Sequence, residues 1–214
     1  MSSVVTAPEA RSTRLSTWEI DPVHSQAQFA VRHMMISNVR GEFTKITGTL
    51  NLDPEDVSRS TLEANIDVAS ISTREADRDA HLKSGDFFDV ANFPTISFKS
   101  KHVTRNGLGR LKVAGDLAIR GVTREIVLDV DGPTAPAKDP WGNVRIGASA
   151  STKINRKNFG LTWNAALETG GVLVGDEVGL TIEAELIIVH LERDGETVEG
   201  RGPTTLRRMG TLGE

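Results

Sequence analysis

The chain contains no cysteine, which excludes disulfides and thiolate chemistry and leaves the fold indifferent to the redox compartment. It has no run of about eighteen apolar residues, so no membrane-spanning helix is expected, and residues 1–17 hold no apolar run of signal-peptide length. Positive charge is not in excess, because the net charge is -4, and this weighs against nucleic-acid binding. These absences predict a soluble, cytoplasmic protein that neither inserts stably into membranes nor binds nucleic acid.

Residues 18–52 predict two long strands, because apolar residues recur there at every second position. The residues that share the inward face are Ala27, Phe29 and Val31 in the first segment and Val39, Gly41 and Phe43 in the second. A turn is predicted at residues 36–38. The parity changes between Phe43 and Ile46, which indicates a β-bulge where the strand bends.

One short helix is predicted after these strands. Ser72 and Glu75 have the spacing of a capping box, with Ser72 as the N-cap, and Gly85 is placed to end the helix. Phe88 and Phe93 follow in the densest aromatic cluster of a chain that is only 5% aromatic, and we expect them to plug one end of the core.

Alternating segments continue at regular intervals and give about eight strands without a βαβ rhythm. Such spacing is typical of an antiparallel barrel or sandwich. The long strands and the bulge favour a barrel, and eight strands enclose just enough space for one ligand. The predicted organisation is a disordered leader at 1–16, a barrel domain at 17–193 and a flexible tail at 194–214.

Many predicted inward positions hold small residues, which leave volume near a barrel axis unless something fills it. Either a bound apolar chain or large neighbours such as Phe98 and Trp163 could fill that volume, and the sequence leaves both open. The residues predicted by parity to contact a ligand are Ala27, Phe29, Val31, His33, Phe43, Ile66, Val68, Phe98, Leu117, Ile119, Ile126, Leu128, Ala148, Ala150, Leu161, Trp163, Ile182, Ala184 and Leu186.

Polar residues with catalytic potential are few. Asp21, His24 and Ser25 are the residue types of a hydrolase triad, but on one extended segment they cannot readily converge, so a capping role for Asp21 is expected. No two of the five histidines have a metal-ligand spacing, and no metal site is predicted. His33 continues the inward face, either as a hydrogen-bonded rim residue or as a contact to the polar head of a ligand.

Several segments resemble the YceI-like family in order along the chain. They are 21–25 (DPVHS), 29–33 (FAVRH), 39–43 (VRGEF), 78–82 (RDAHL), 86–89 (DFFD), 93–98 (FPTISF), 115–123 (GDLAIRGVT), 155–163 (NRKNFGLTW) and 174–178 (VGDEV). The resemblance implies a lipocalin-like antiparallel β-barrel of about eight strands with one short helix. It also implies a polyisoprenoid or other long-chain lipid as ligand, no further cofactor, and a homodimer.

The functional hypothesis is therefore a carrier, store or sequestering protein that holds a lipid without changing it. Two alternatives stay open. One is an enzyme acting on such a lipid, with His33 or His24 as acid or base. The other is a solidly packed barrel that serves as an interaction scaffold.

Overall fold

The computed structural model describes residues 15–107, 109–168, 170–193 and 196–199. The strands are β1 (Ser16–Ile20), β2 (Gln26–His33), β3 (Ser37–Phe43), β4 (Ile46–Leu52), β5 (Thr61–Asp67), β6 (Ile71–Ser72), β7 (Thr95–Arg105), β8 (Arg110–Ile119), β9 (Val122–Asp131), β10 (Ala137–Lys138), β11 (Val144–Asn155), β12 (Val174–Arg193) and β13 (Glu196–Glu199). The described residues contain one α-helix, α1 (Ala76–Lys83), and three 3-10 turns, Val57–Arg59, Val68–Ser70 and Arg156–Phe159.

These strands form a closed antiparallel barrel of eight long strands, as predicted. Two of the eight are interrupted: β1 and β2 are halves of one strand, and β3 and β4 are halves of the next. From there β5, β7, β8, β9, β11 and β12 each pair with their predecessor along the chain. The ring closes where β12 pairs with both β1 and β2, so each long strand has a neighbour on both edges.

The predicted change of parity in the second strand is confirmed. Phe43 and Ile46 are both buried although three positions separate them, because the strand breaks at Thr44 and Lys45. The predicted turn at 36–38 is wrong by two residues. Residues 34–36 make the turn, and β3 already begins at Ser37, which pairs with His33.

The helix begins later than the capping box predicts. Ser72 lies in β6, where it pairs with Glu42 and extends the sheet. Glu75 is the N-cap instead, and its carboxylate accepts hydrogen bonds from the N–H groups of Asp77 at 3.2 Å and Arg78 at 2.7 Å. The pairing of β6 therefore holds these residues in the sheet and delays the start of α1 to Ala76.

The described residues include only part of the predicted leader and of the predicted tail. Ser16 already opens β1, and residues 1–14 of the predicted leader lie outside the described residues. β12 ends at Arg193, and Glu196–Glu199 forms β13 and pairs with β12, so this part of the predicted tail is a strand. Residues 200–214 also lie outside the described residues. Within the described part of the chain, no helix combines the length and apolarity needed to cross a bilayer.

Aromatic rings fill some of the space that small inward residues leave. A Cβ atom at Gly41 would overlap the ring of Phe29, and one at Gly115 would lie 2.6 Å from Cζ of Phe98. Each ring occupies the space beside a glycine of the neighbouring strand, so neither glycine adds volume to the barrel interior. Phe93 does not plug the core as predicted, because its ring lies against Gly121 outside the cavity described below.

Candidate ligand-binding cavity

The barrel is hollow along part of its axis. A cavity of about 270 Å³ lies among the inward side chains, is partly open to solvent and has an almost wholly apolar surface. Leu82 of α1, with Phe87 and Phe88 from the turn after it, contributes to its lining. The ring of Phe88 packs against the ring of Phe43, with 5.8 Å between their centroids. The segment that follows α1 therefore covers the cavity where β3 meets β6.

Sixteen of the nineteen residues predicted to contact a ligand lie on the wall of this cavity. They are Ala27, Phe29, Val31, Phe43, Ile66, Phe98, Leu117, Ile119, Ile126, Leu128, Ala148, Ala150, Leu161, Ile182, Ala184 and Leu186. Fifteen of them lie on strands, where period-two alternation decides which face each side chain occupies, whereas Leu161 follows the 3-10 turn after β11. Their contact with a ligand remains a prediction.

The other three predicted residues lie off the wall. His33 is the last residue of β2, and its pairing partner Val174 lines the cavity in its place. Val68 is buried in the 3-10 turn that interrupts the alternation after β5. Trp163 lies beyond the strands and packs against Phe87 and His81, at 5.2 and 4.7 Å between ring centroids. The alternation was extended to the last residue of a strand for His33, and past the end of a strand for Val68 and Trp163.

Sequence reasoning also missed part of the lining. Leu82, Phe87 and Pro133 come from a helix, a turn and a loop, where no alternation exists to reveal them. Other missed residues continue the same strand alternation and could have been found by it. They are Ile46, Leu50, Leu62, Ala64, Val113, Val130, Val178 and Leu180.

The cavity has two unlike walls. We call β7 and β8 the packed wall, because its lining side chains are all buried, at 9% exposure or less: Ile96, Phe98, Val103, Leu111, Val113, Leu117 and Ile119. We call β11 and β12 the hollow wall, because the lining side chains of its middle part are smaller or only half-buried: Ala148, Ala150, Val178, Leu180, Ile182 and Ala184. The side chains of the hollow wall therefore leave more of their surface exposed than those of the packed wall.

One charged side chain, Arg156, reaches the cavity lining. It is 3% exposed, and its N–H groups donate to the carbonyls of Gly175 at 2.8 Å, Leu161 at 2.5 Å, Trp163 at 2.8 Å and Val174 at 3.3 Å. Burial lowers the pKa of Arg156, and the nearby carboxylate of Asp176 opposes that shift. Because its donors are engaged, Arg156 ties the start of β12 to the segment after β11.

A cluster of ionised side chains lies on the outer side of the hollow wall. Arg145 of β11 contacts the carboxylates of Asp21 at 2.6 Å, Asp139 at 2.7 Å and Glu185 at 2.6 Å. Asp21 and Asp139 are buried, at 6% and 8% side-chain exposure, and Arg145 is 17% exposed. We call these four residues the Arg145 cluster. It joins the break between β1 and β2 to the loop before β11.

Hydrogen bonds control the ionisation of this cluster. Burial raises the pKa of the Asp21 carboxyl, but hydrogen bonds from Arg145, His24 and the Val23 N–H outweigh it, so the pKa lies below its ordinary value. Burial also raises the pKa of the Asp139 carboxyl, but hydrogen bonds from Arg145 and Asn143 hold this pKa far below its usual range. Asp21 and Asp139 are therefore charged at neutral pH, as is Arg145, whose pKa these hydrogen bonds raise.

The candidate triad is not assembled. His24 Nδ1 lies 2.8 Å from Asp21, but Ser25 Oγ exchanges hydrogen bonds with the backbone of Glu185 instead. Asp21, His24 and Glu185 come close enough together to suggest a metal site. Arg145 Nη1 already lies 2.6 Å from oxygens of both carboxylates, so a fixed cation occupies the position that a metal ion would need.

Comparison with known proteins gives a consistent result. The family model of the YceI-like domain matches residues 18–186. A UPF0312 protein of Staphylococcus aureus strain N315 is 38% identical over 175 residues, which cover 81% of this chain and 99% of that protein.

Solved structures share the barrel. A YceI protein of Campylobacter jejuni superposes with a TM-score of 0.60 at 32% identity, covering 76% of this chain and 90% of that one. A polyisoprenoid binding domain from Saccharophagus degradans superposes with a TM-score of 0.58 at 16% identity, covering 80% and 98%. At 16% identity the second match speaks for the fold alone.

Proposed function

The chain belongs to the YceI-like family, and from that premise we propose that it binds a polyisoprenoid or similar long-chain amphiphilic lipid in the barrel cavity. It acts as a carrier, store or sequestering protein and leaves the lipid chemically unchanged. The observation that carries the proposal is the partly open, almost wholly apolar cavity inside a closed barrel. The polyisoprenoid binding domain from Saccharophagus degradans shares this fold, and the proposal extends the ligand class of that protein to this chain.

The energetics of such a complex need few polar contacts. Each methylene group removed from water contributes roughly 0.8 kcal/mol, so a long isoprenoid chain gains affinity from burial alone. The half-buried side chains of the hollow wall, such as Leu180 and Ile182, still expose apolar surface that a ligand would cover. Binding would therefore complete the packing of the barrel interior.

Catalysis has less support than binding. Among the described residues, Arg156 is the only ionisable side chain on the cavity wall, whereas a general acid or base must lie within hydrogen-bond reach of its substrate. His24 and His33, the residues of the enzyme hypothesis, both lie off the wall. The scaffold hypothesis requires a solid core, and the cavity argues against it.

A homodimer and a cytoplasmic location remain predictions. Sedimentation equilibrium of the purified protein measures the oligomeric state, with a mass of twice 23.1 kDa expected. A monomeric mass at the concentrations used for lipid binding would reject the dimer and leave the cavity proposal unaffected.

Analysis of the bound lipid tests the proposed function. The purified protein is denatured, extracted with organic solvent and analysed by mass spectrometry, and an unmodified isoprenoid or long-chain lipid in near-stoichiometric amount is expected. Protein without lipid is then titrated with a fluorescent prenol analogue. A preparation that contains no lipid and takes up no prenol overturns the proposal, as does a lipid that the protein converts chemically.

A matched pair of variants locates the site. Ala150→Trp fills the cavity from β11, whereas Ser151→Trp adds the same side chain at the next position, which is exposed on the outer face. We expect Ala150→Trp to lower prenol affinity at least tenfold and Ser151→Trp to leave it unchanged. Equal effects of the two substitutions would place the ligand outside the barrel.

A further inference from the structure

The turn between β2 and β3 exposes a group of large apolar side chains. Met34, Met35 and Ile36 are 39%, 62% and 75% exposed. Val172, on the neighbouring loop, is 39% exposed, and the two segments meet where the Met34 N–H donates to the carbonyl of Leu173 at 2.8 Å. We call Met34, Met35, Ile36 and Val172 the apolar tip.

The backbone of this turn makes its residue types unusual. Met34 and Met35 have φ angles of 49° and 61°, in the left-handed region that hairpin turns normally assign to asparagine or glycine. Methionine there accepts an unfavourable backbone conformation and also exposes a flexible apolar side chain to water. Neither feature helps the barrel fold, so the side chains of the turn point to contact with another apolar phase.

The apolar tip is continuous with the cavity wall. Val31 lines the cavity three residues before Met34, and Val174 lines it directly after Leu173. Val174 also pairs with His33, the residue that precedes the turn. On both segments the apolar tip therefore begins within three residues of the cavity lining. A ligand that leaves the cavity along this side would pass directly to the apolar tip.

Positive charge flanks the tip on the outer face of the two strands. Arg32 and Arg40 are exposed, and neither forms a salt bridge with any residue in the described ranges. Asp176 and Glu177 on the adjacent β12 are already paired with Lys157 and Lys153, at 2.9 and 2.8 Å. At about 3.3 Å per strand residue, the Arg32 backbone lies roughly 7 Å behind Met34, which matches the depth of a lipid headgroup layer.

We propose that the apolar tip is a membrane-docking surface for anionic bilayers. Met34, Met35 and Ile36 enter the boundary between headgroups and acyl chains, and Arg32 and Arg40 contact lipid phosphates. A second copy of the chain fits less well, because a stable interface buries about 800 Å² on each partner, and four side chains on a convex turn expose far less. The role of this surface in lipid exchange rests on the proposed function, but docking itself does not.

Cosedimentation with vesicles tests the docking surface. Wild-type protein is expected to bind vesicles of phosphatidylcholine mixed with phosphatidylglycerol, and the double variant Met35→Ser/Ile36→Ser to lose at least tenfold in affinity. Val127→Ser, which removes a 43%-exposed apolar side chain from β9, is the matched control and should bind like the wild type. Arg32→Gln and Arg40→Gln should each cost about fivefold, and only on vesicles that contain phosphatidylglycerol.

A tryptophan variant reports docking by a fluorescence change, so its result cannot be mistaken for loss of binding through misfolding. Ile36→Trp should shift its fluorescence to shorter wavelength and be quenched by brominated lipid when vesicles are added. An indole that stays in water overturns the proposal, as does a Met35→Ser/Ile36→Ser protein that binds vesicles normally. Loss of a protein dimer in that double variant, without vesicle binding by the wild type, would assign the tip to a second copy instead.

The docking proposal and the proposed function fail separately. Uptake of a fluorescent prenol in vesicle-free solution should be the same for wild type and Met35→Ser/Ile36→Ser, because neither residue lines the cavity. Transfer of the prenol from vesicles should be slower for the double variant. A wild-type protein that binds vesicles but no prenol rejects the proposed function and retains the docking surface.

Discussion

The packed wall and the hollow wall belong to one barrel and use the same strand alternation, yet they are stabilised differently. The packed wall fills its inner face with large side chains such as Phe98 and Leu117. The ion pairs on its outer face, Lys101 with Asp116 and Lys112 with Asp129, are exposed to solvent. Exposed pairs of this kind add little stability, so the packed wall depends on its interior.

The hollow wall reverses this distribution. Its inner face carries Ala148, Ala150 and Ala184 beside free volume, while its outer face carries the largely buried Arg145 cluster. Charge-assisted hydrogen bonds from Arg145 join the start of β11 to the loop before it, to the break between β1 and β2, and to Glu185 of β12. In this barrel, the wall with small or half-buried inward side chains is the one that carries a buried polar network on its outer face.

Removal of a large inward side chain from each wall tests the difference most strongly. Leu117→Ala on the packed wall should lower the free energy of unfolding by about 4 kcal/mol, within the range for a buried leucine. Ile182→Ala on the hollow wall should cost about 1–2 kcal/mol, because its side chain already borders free volume. Urea denaturation of both variants measures the two values, and equal losses would mean that the two walls pack alike.

Disruption of the outer network should have the next largest effect. Arg145→Met leaves Asp21 buried without its partner and should cost about 3 kcal/mol, the lower end of the range for breaking a buried pair, because Arg145 keeps some exposure. Lys101→Met removes an exposed pair from the packed wall and should leave the urea midpoint unchanged. A hollow wall that tolerates Arg145→Met would show that the cluster does not brace it.

Acid should weaken the hollow wall by a smaller amount. Because the folded-state pKa of Asp21 is depressed, its stabilisation is present above the unfolded pKa of about 3.9 and is lost as pH falls through the folded value. Urea unfolding between neutral pH and pH of about 3 should therefore show a loss that Asp21→Asn reduces. Asp129→Asn removes an exposed carboxylate from β9, where it pairs with Lys112 of the packed wall, and should keep the wild-type acid dependence.

The predicted residues that line the cavity lie on strands, where the chain repeats with a period of two, except for Leu161, which follows the 3-10 turn after β11. Phe29, Ala150 and Ile182 illustrate this, because strand geometry alone fixes the face on which each lies. His33 is the last residue of β2 and Trp163 lies beyond β11, and neither lines the cavity, because the alternation no longer holds where a strand ends. The capping error at Ser72 has another cause, since pairing of β6 with β3 overrides the local helix signal.

The Arg145 cluster could not be read from the sequence at all. Asp21, Asp139 and Arg145 are separated by up to 124 positions, and nothing near any of them along the chain indicates the others. The same holds for Leu82 and Phe87, whose place on the cavity wall depends on how the helical segment crosses the barrel. Contacts of this kind arise only when distant segments pack.

By itself the sequence determined that this chain forms about eight amphipathic strands and which side chains they turn inward, because alternation is a local property of extended backbone. Only the tertiary structure decided that the interior is hollow, that β11 and β12 line it with small or half-buried side chains, and that an arginine cluster lies on the outer face of these strands. Whether small residues leave a cavity or are covered by a neighbouring ring, as Phe29 covers Gly41, depends on how strands far apart in sequence meet around the barrel.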